Sequence, residues 1–332
     1  MRHTSLAALL ATAVVAGGLA ATPAYARTGA EARAVWVKSC TGKDGYSRSC
    51  GRWQLIMRDG RRIDVPDAAL DAVDSRGRKS AGNEAPFAIS GDGRTIAYQR
   101  GRDGRLVVRA AAGGRVTVLP GAVQAGSTGT EETRLRLSPA GDRVIVEQVG
   151  DDARPPTFVV DVATGRIVRL PGIEEVEGFS ADGDEVLTTR ALPDNTIRLS
   201  ARGLDGYVVS QVPPQVVVEN RPSALAADGH TVAVQAGGSE GGSGGGAGLR
   251  VFDLETGRLS EAVALDLGKG ERPYLAAWNG TDSLTVRVAT QRSEEGPTTV
   301  RVLVVDVSFG TVRQKDTYKI SGSAYAWYAA GE

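Results

Sequence analysis

Phe87-Ala-Ile-Ser90-Gly-Asp92-Gly93-Arg-Thr-Ile-Ala-Tyr98 decides the fold: a short apolar run, a tight polar turn, then a second run of alternating apolar residues. Imperfect copies follow at Leu135-Arg-Leu-Ser138-Pro-Ala-Gly141-Asp-Arg-Val-Ile-Val146, Phe179-Ser180-Ala-Asp182-Gly183-Asp-Glu-Val-Leu187 and Leu225-Ala-Ala-Asp228-Gly229-His-Thr-Val-Ala-Val234. A degenerate fifth is Ala276-Ala-Trp278-Asn279-Gly280-Thr-Asp-Ser-Leu-Thr-Val286. Each copy reads as two antiparallel strands joined by a turn in which Gly supplies positive φ.

A second hairpin follows each of these. Val159-Val-Asp161-Val-Ala-Thr164-Gly165-Arg166, Val251-Phe-Asp253-Leu-Glu-Thr256-Gly257-Arg258 and Val304-Val-Asp306-Val-Ser-Phe-Gly310 are the clearest, with looser versions around Gly60, Gly113 and Gly206. The unit of four strands recurs roughly every 42 to 53 residues, in the range of propeller blades. Six units are counted, so the sequence predicts an all-β, six-bladed β-propeller of four-stranded antiparallel blades, with seven blades as the alternative. No window has a capped apolar period of 3.6 residues, so little helix is expected.

The first unit has strands at Ala34–Ser39, Arg52–Met57 and Arg61–Val65 but no innermost strand. Ala324-Tyr-Ala-Trp327-Tyr-Ala-Ala-Gly331 resembles Tyr274-Leu-Ala-Ala-Trp278-Asn-Gly280 and is expected to supply it, joining the two termini in one blade and removing the open edge of the ring.

Residues 1–26 read as a signal peptide: Arg2 and His3, an apolar stretch from Leu6 to Ala20, and an Ala24-Tyr25-Ala26 cleavage site. Residues 27–332 then form a single propeller domain, secreted or associated with the cell envelope, with no membrane span after signal removal, and a monomer is expected. Cys40 and Cys50 are the only cysteines, and an exported chain meets conditions that favour a disulfide between them, worth roughly 2 to 3 kcal/mol in the chain-entropy picture. A metal site is the alternative, but two thiolates need further ligands and residues 27–332 hold one histidine, His230. Lys plus Arg and Asp plus Glu are 39 each, a balance without a basic block that speaks against nucleic acid as partner.

Phe-x-x-Ser-x-Asp-Gly followed by an alternating strand resembles the WD40-like repeat of TolB-type β-propellers, usually Trp-Ser-Pro-Asp-Gly-x-x-Ile-Ala-Phe. The resemblance covers residues 34 to 330. Most copies here have Phe or Leu for the leading Trp, and Gly, Ala or Pro-Ala for the Pro. It implies a binding platform or the non-catalytic half of a peptidase, and no segment looks like a TolB N-terminal domain.

Variation between units lies in the loops joining second to third strands and one unit to the next, which places function on that face. Six residues ahead of Ser90, Ser138, Ser180, Ala226 and Ala277 stand Glu84, Glu132, Glu174, Asn220 and Glu271. They are read as a rim around the central channel, reinforced by Glu131, Glu175, Glu177 and Glu219, with the chemistry to hold Ca²⁺ or to attract a Lys- or Arg-bearing segment of a partner. The plainer reading is that each satisfies nearby donors or faces water.

Asp92, Asp182 and Asp228 are read as turn formers, since each turn offers too few oxygens for calcium. The Gly-rich run from Ala236 to Gly248 lacks Gly-Lys-Ser/Thr and opens no helix, so it reads as a loop rather than a phosphate cradle. His230 sits in a turn, away from the variable loops, which speaks against a Ser-His-Asp triad. Trp36, Trp53, Trp278 and Trp327 are assigned to blade packing before a sugar platform.

The function so read is a non-enzymatic platform for a protein or peptide ligand, such as an envelope component. No catalytic residue, resident metal or cofactor is assigned. The alternative is an extracellular carbohydrate-active hydrolase or lyase using channel-mouth carboxylates.

Overall fold

The computed structural model describes residues 30–124, 129–149, 156–237, 247–291 and 296–332. The signal peptide at 1–26 and the centres of the loops at 151–156, 236–248 and 291–297 lie outside the described residues.

Among the described residues, twenty-six strands follow in order. Sheet I holds β1 (Ala32–Thr41), β2 (Ser47–Met57) and β3 (Arg62–Val65), and a separate hairpin joins β4 (Asp71–Val73) to β5 (Lys79–Glu84). Sheet II is β6 (Phe87–Ile89), β7 (Thr95–Gln99), β8 (Leu106–Ala110) and β9 (Thr117–Val118). Sheet III is β10 (Thr133–Leu137), β11 (Arg143–Gln148), β12 (Thr157–Asp161) and β13 (Ile167–Leu170). Sheet IV is β14 (Glu175–Phe179), β15 (Glu185–Ala191), β16 (Ile197–Gly203) and β17 (Val208–Gln211). After a one-turn helix α1 (Gln215–Val218), sheet V is β18 (Ser223–Leu225), β19 (Thr231–Ala236), β20 (Gly248–Asp253) and β21 (Val263–Ala264). Sheet VI is β22 (Arg272–Trp278), β23 (Ser283–Gln291), β24 (Thr298–Asp306) and β25 (Thr311–Ile320), and β26 (Ala324–Ala329) returns to sheet I.

β26 pairs antiparallel with β1, Val35 opposite Tyr328 and Trp36 opposite Trp327, so sheet I has the order β26-β1-β2-β3. The expected sharing of one sheet by the two ends of the chain is therefore present. The β4–β5 hairpin was not anticipated, because Lys-Ser-Ala-Gly-Asn-Glu shows no apolar alternation.

The turns form for the reasons their residues suggest. Buried Ser90 donates its hydroxyl to Asp92 (2.6 Å) and accepts the Thr95 N–H (2.9 Å). Ser138 and Ser180 act in the same way on Asp142 and Asp182. In the second hairpins, Asp161, Asp253 and Asp306 accept the N–H of Thr164, Thr256 and Phe309 at 2.8 to 2.9 Å. Gly93 is required twice over: its φ is +76°, and a Cβ there would stand 2.3 Å from the Ala32 carbonyl oxygen.

Period-two alternation makes each second strand serve two cores. On β11, Val144 and Val146 enter a cluster with sheet II, and Ile145 enters one with sheet IV. On β7, Ile96 and Tyr98 face sheet I, and Ala97 faces sheet III. On β19, Val232 and Val234 face sheet IV, and Ala233 faces sheet VI. On β1, Val35 and Val37 face sheet II while Ala34 and Trp36 pack on Val300, Val302 and Tyr318 of sheet VI. The clusters thus run from each sheet to the next, and the sixth joins the last sheet to the first. Each fully buried Val or Ile among them contributes about 1.5–3 kcal/mol relative to exposure. Trp36, Trp53 and Trp278 are buried in these clusters, in keeping with packing roles.

Candidate functional site

The first strand of each sheet points at a common axis. β26 lies against β6, β6 against β10, β14 against β18 and β18 against β22. One cavity of about 290 Å³ is lined from all six sheets, by Gly331 beside β26, Asp92 beyond β6, Arg136 on β10, Glu177 on β14, Ser223 on β18 and Asn279 beyond β22. It opens at the end of the axis where the tight turns lie. At the loop end a second cavity, about 410 Å³, is lined by Glu84, Glu131, Arg134, Arg136, Tyr328 and Glu332.

The five rim positions precede their first strands as expected, but their side chains have separate surroundings. Glu84 ends β5, opposite Asp71, and accepts the Tyr328 hydroxyl at 3.1 Å. Glu132 is exposed, and its carbonyl accepts the Val149 N–H. Glu174 is buried and held by both Nε and Nη2 of Arg202, and it also accepts the Thr188 hydroxyl at 2.8 Å. Asn220 follows α1 and donates to the Val216 carbonyl at 3.1 Å. Glu271 closes a turn by accepting the Gly268 N–H at 2.7 Å and pairs with Arg301 at 2.8 Å. Equal spacing in sequence thus meets unequal backbone: a hairpin end, a helix end and a turn. Among the described residues no group of three or more His, Cys, Asp or Glu is placed to hold a metal ion.

What the axis does bring together are charged residues of the first two strands. The Arg136 guanidinium lies between the two cavities, and its Nε has no hydrogen-bond partner among the described residues. Burial pulls its pKa below the usual arginine value, against the attraction of Glu147 and Glu177. Glu147 accepts the Val176 N–H through Oε1 while its buried Oε2 has no partner among the described residues. Glu177 accepts from Thr189 (3.2 Å) and pairs with Arg221 (2.8 Å). Burial pushes the Glu332 carboxyl above the ordinary carboxylate range, countered by the Ala329 N–H and by Arg136 and Arg287. Burial and the adjoining Glu84 also push the Tyr328 phenol up.

Arg136, Arg287 and Glu332 were missed by the sequence reading. Leu135-Arg136-Leu137 on β10 and Val286-Arg287-Val288 on β23 look like apolar-in, polar-out strands, and the polar side in fact lines the axial and seam cavities. Cys40 and Cys50 are joined in a disulfide near the β1–β2 turn, as expected. His230 lies in its turn between Asp228 and Asp253, at 3.7 and 3.6 Å. No helix of the described residues is long and apolar enough to cross a membrane.

No protein-family model matches the sequence, and no curated protein matches it. Among solved structures the chain is similar to a protein assigned as TolB from Agrobacterium tumefaciens, at 12% identity and a TM-score of 0.43, covering 77% of this chain and 91% of that one. It is also similar to the β-propeller domain of the Trilobed protease from Pyrococcus furiosus, at 10% identity and a TM-score of 0.47, covering 86% and 80%. A third is a chain of a nidogen/laminin complex, at 10% identity and a TM-score of 0.43, covering 86% and 92%. Likeness at this level assigns no activity, and the reading of the site rests on its own geometry.

Proposed function

We propose that the six sheets are the blades of a closed β-propeller, and that the protein is an exported, non-enzymatic platform that binds a Lys- or Arg-bearing segment of a protein or peptide at the loop end of its axis. The observation that carries this reading is the loop-end cavity, where three carboxylates, Glu84, Glu131 and Glu332, line one opening against two guanidiniums, Arg134 and Arg136. It keeps Glu84 and Glu131 of the acidic rim, and it adds Glu332. Glu84 and Glu131 are held by neutral donors, Tyr328 and Ser80, and not by a guanidinium, which leaves them available to an incoming cation. The Cys40–Cys50 disulfide supports an oxidising compartment, and an envelope component is the partner that such a location offers.

The test is capture from the producing cell's envelope fraction and culture fluid with residues 27–332 as bait, compared with a Glu84→Gln, Glu131→Gln variant. Loss of the captured partner with an unchanged thermal midpoint supports the proposal. Equal capture by the variant overturns the site, and turnover of a uronic-acid or cell-wall polysaccharide overturns the non-enzymatic reading.

A further inference from the structure

The turn end of the axis adjoins a basic cluster. At the seam between sheets VI and I a cavity of about 290 Å³ is lined by Arg33, Arg58, Arg287 and Lys315 and by one carboxylate, Asp316. We propose that this seam is a second binding site, selective for a carboxylate borne on an apolar group, as in a peptide that ends in or presents such an acid.

The acids near the seam do not balance its cations. Asp316 is taken by Arg33, Nε to Oδ2 at 2.8 Å. Arg58 reaches Glu31 at 3.2 Å, but Glu31 also serves Arg94 at 2.9 Å, so one carboxylate is divided between two guanidiniums. Arg287, on β23, is only 8% exposed and lies against the Tyr318 hydroxyl, and the acid acting on it is the buried Glu332, which it shares with Arg136. Most of the Arg287 surface is already withdrawn from solvent, so an anion that reaches it gains charge-assisted bonds at a reduced desolvation cost.

Lys315 is placed there by a backbone irregularity. Along β25, Val302 pairs with Asp316 and Leu303 with Gln314, leaving Lys315 as the extra residue of a β-bulge. Bulges re-aim side chains, and this one lines the cavity rather than joining the ladder.

The seam continues into the turn-end axial cavity. The two share Gly91, Ala277, Asn279 and Gly331, and beyond them Leu137, Phe179, Leu225 and Trp278 give the wall an apolar side, beside Asp92, Arg136 and Glu177. A ligand that spans both therefore places its charge among the basic residues and an aliphatic or aromatic group on the axis. Arg guanidiniums suit a planar carboxylate, which they grip with two parallel bonds.

Calorimetric titration of the full mature chain tests this with four probes: N-acetyl-Ala-Leu with a free carboxylate, its neutral amide, N-acetyl-Leu-Asp amide, and inorganic phosphate. At least one acidic peptide is expected to bind roughly tenfold more tightly than the neutral amide, the factor typical of a charged hydrogen bond. The first acid alone identifies a chain terminus as the source, and the third an acidic side chain. Lys315→Ala, at an exposed position, is expected to weaken binding about threefold at about 50 mM salt, and this difference should shrink toward none as salt rises to about 500 mM. Arg287→Met is expected to abolish binding, and Lys315→Ala keeps the test decisive if that buried replacement fails to fold. Equal binding of acid and amide, no acid binding at millimolar concentration, tighter binding of phosphate, or an unaffected Lys315→Ala would each overturn the proposal. The Glu84→Gln, Glu131→Gln variant is expected to bind these probes normally, so failure here and failure of the loop-end reading are separate results.

Discussion

Replacing Glu174 with Ala should damage the fold far more than any ligand contact. The side chain is 5% exposed, and Arg202, which grips it at two points, is 22% exposed. Removing one partner of a fully buried ion pair costs about 3–5 kcal/mol, and water reaching the partly exposed Arg202 reduces this to about 2–3 kcal/mol. The Thr188 hydroxyl loses its 2.8 Å acceptor and is left with the Ser200 carbonyl at 3.4 Å, adding about 1 kcal/mol. The sum, about 3–4 kcal/mol, should lower the urea midpoint by about 1 M or more, taking a slope of about 3 kcal/mol/M for a chain of this size. Far-ultraviolet circular dichroism and tryptophan fluorescence should report the same transition. The double replacement Glu174→Leu, Arg202→Met removes both charges and should recover most of the loss. A midpoint within about 0.3 M of wild type for Glu174→Ala, or a double variant as unstable as the single one, would refute the reasoning. Loss of binding in a Glu174 variant would then report on folding.

Two further outcomes are expected. Gly93→Ala forces both positive φ and a 2.3 Å approach to the Ala32 carbonyl, so it should destabilise by more than about 2 kcal/mol, whereas Gly60→Ala, with φ +88° and open space, should cost about 1 kcal/mol; thermal melts of the pair check this. The Tyr98 phenol is pushed up to about 12 by burial and by its bond to Asp67, so the folded state holds that proton after the unfolded chain has lost it. Its contribution is full below the unfolded value of about 10 and falls as pH rises through the folded value, which absorbance titration of wild type against Tyr98→Phe should show.

The parts of this fold that were legible are those set by neighbours in sequence. Ser90, Asp92 and Gly93 form their turn with atoms a few residues away, so the repeat announced itself, and the likeness of 324–331 to 274–280 revealed the strand that completes sheet I. The acidic rim was not legible, because what a carboxylate does is decided by partners far along the chain. Glu174 finds Arg202 on β16, and Glu271 finds Arg301 on β24. Arg136 and Arg287 were hidden for the opposite reason. An alternating strand with a charged residue reads as facing water, and nothing local distinguishes bulk solvent from a narrow axis shared by six sheets.

The pairing of β26 with β1 also imposes an order in time. A chain is made from its N-terminus, so β1 waits with an unpaired edge while every other sheet is synthesised, until Ala324–Ala329 arrives to cover Ala34–Lys38. Contacts that span nearly the whole sequence form slowly. The interval before they form is when this protein is most exposed to aggregation and to proteases, and a chain truncated before Ala324 would remain in that condition permanently.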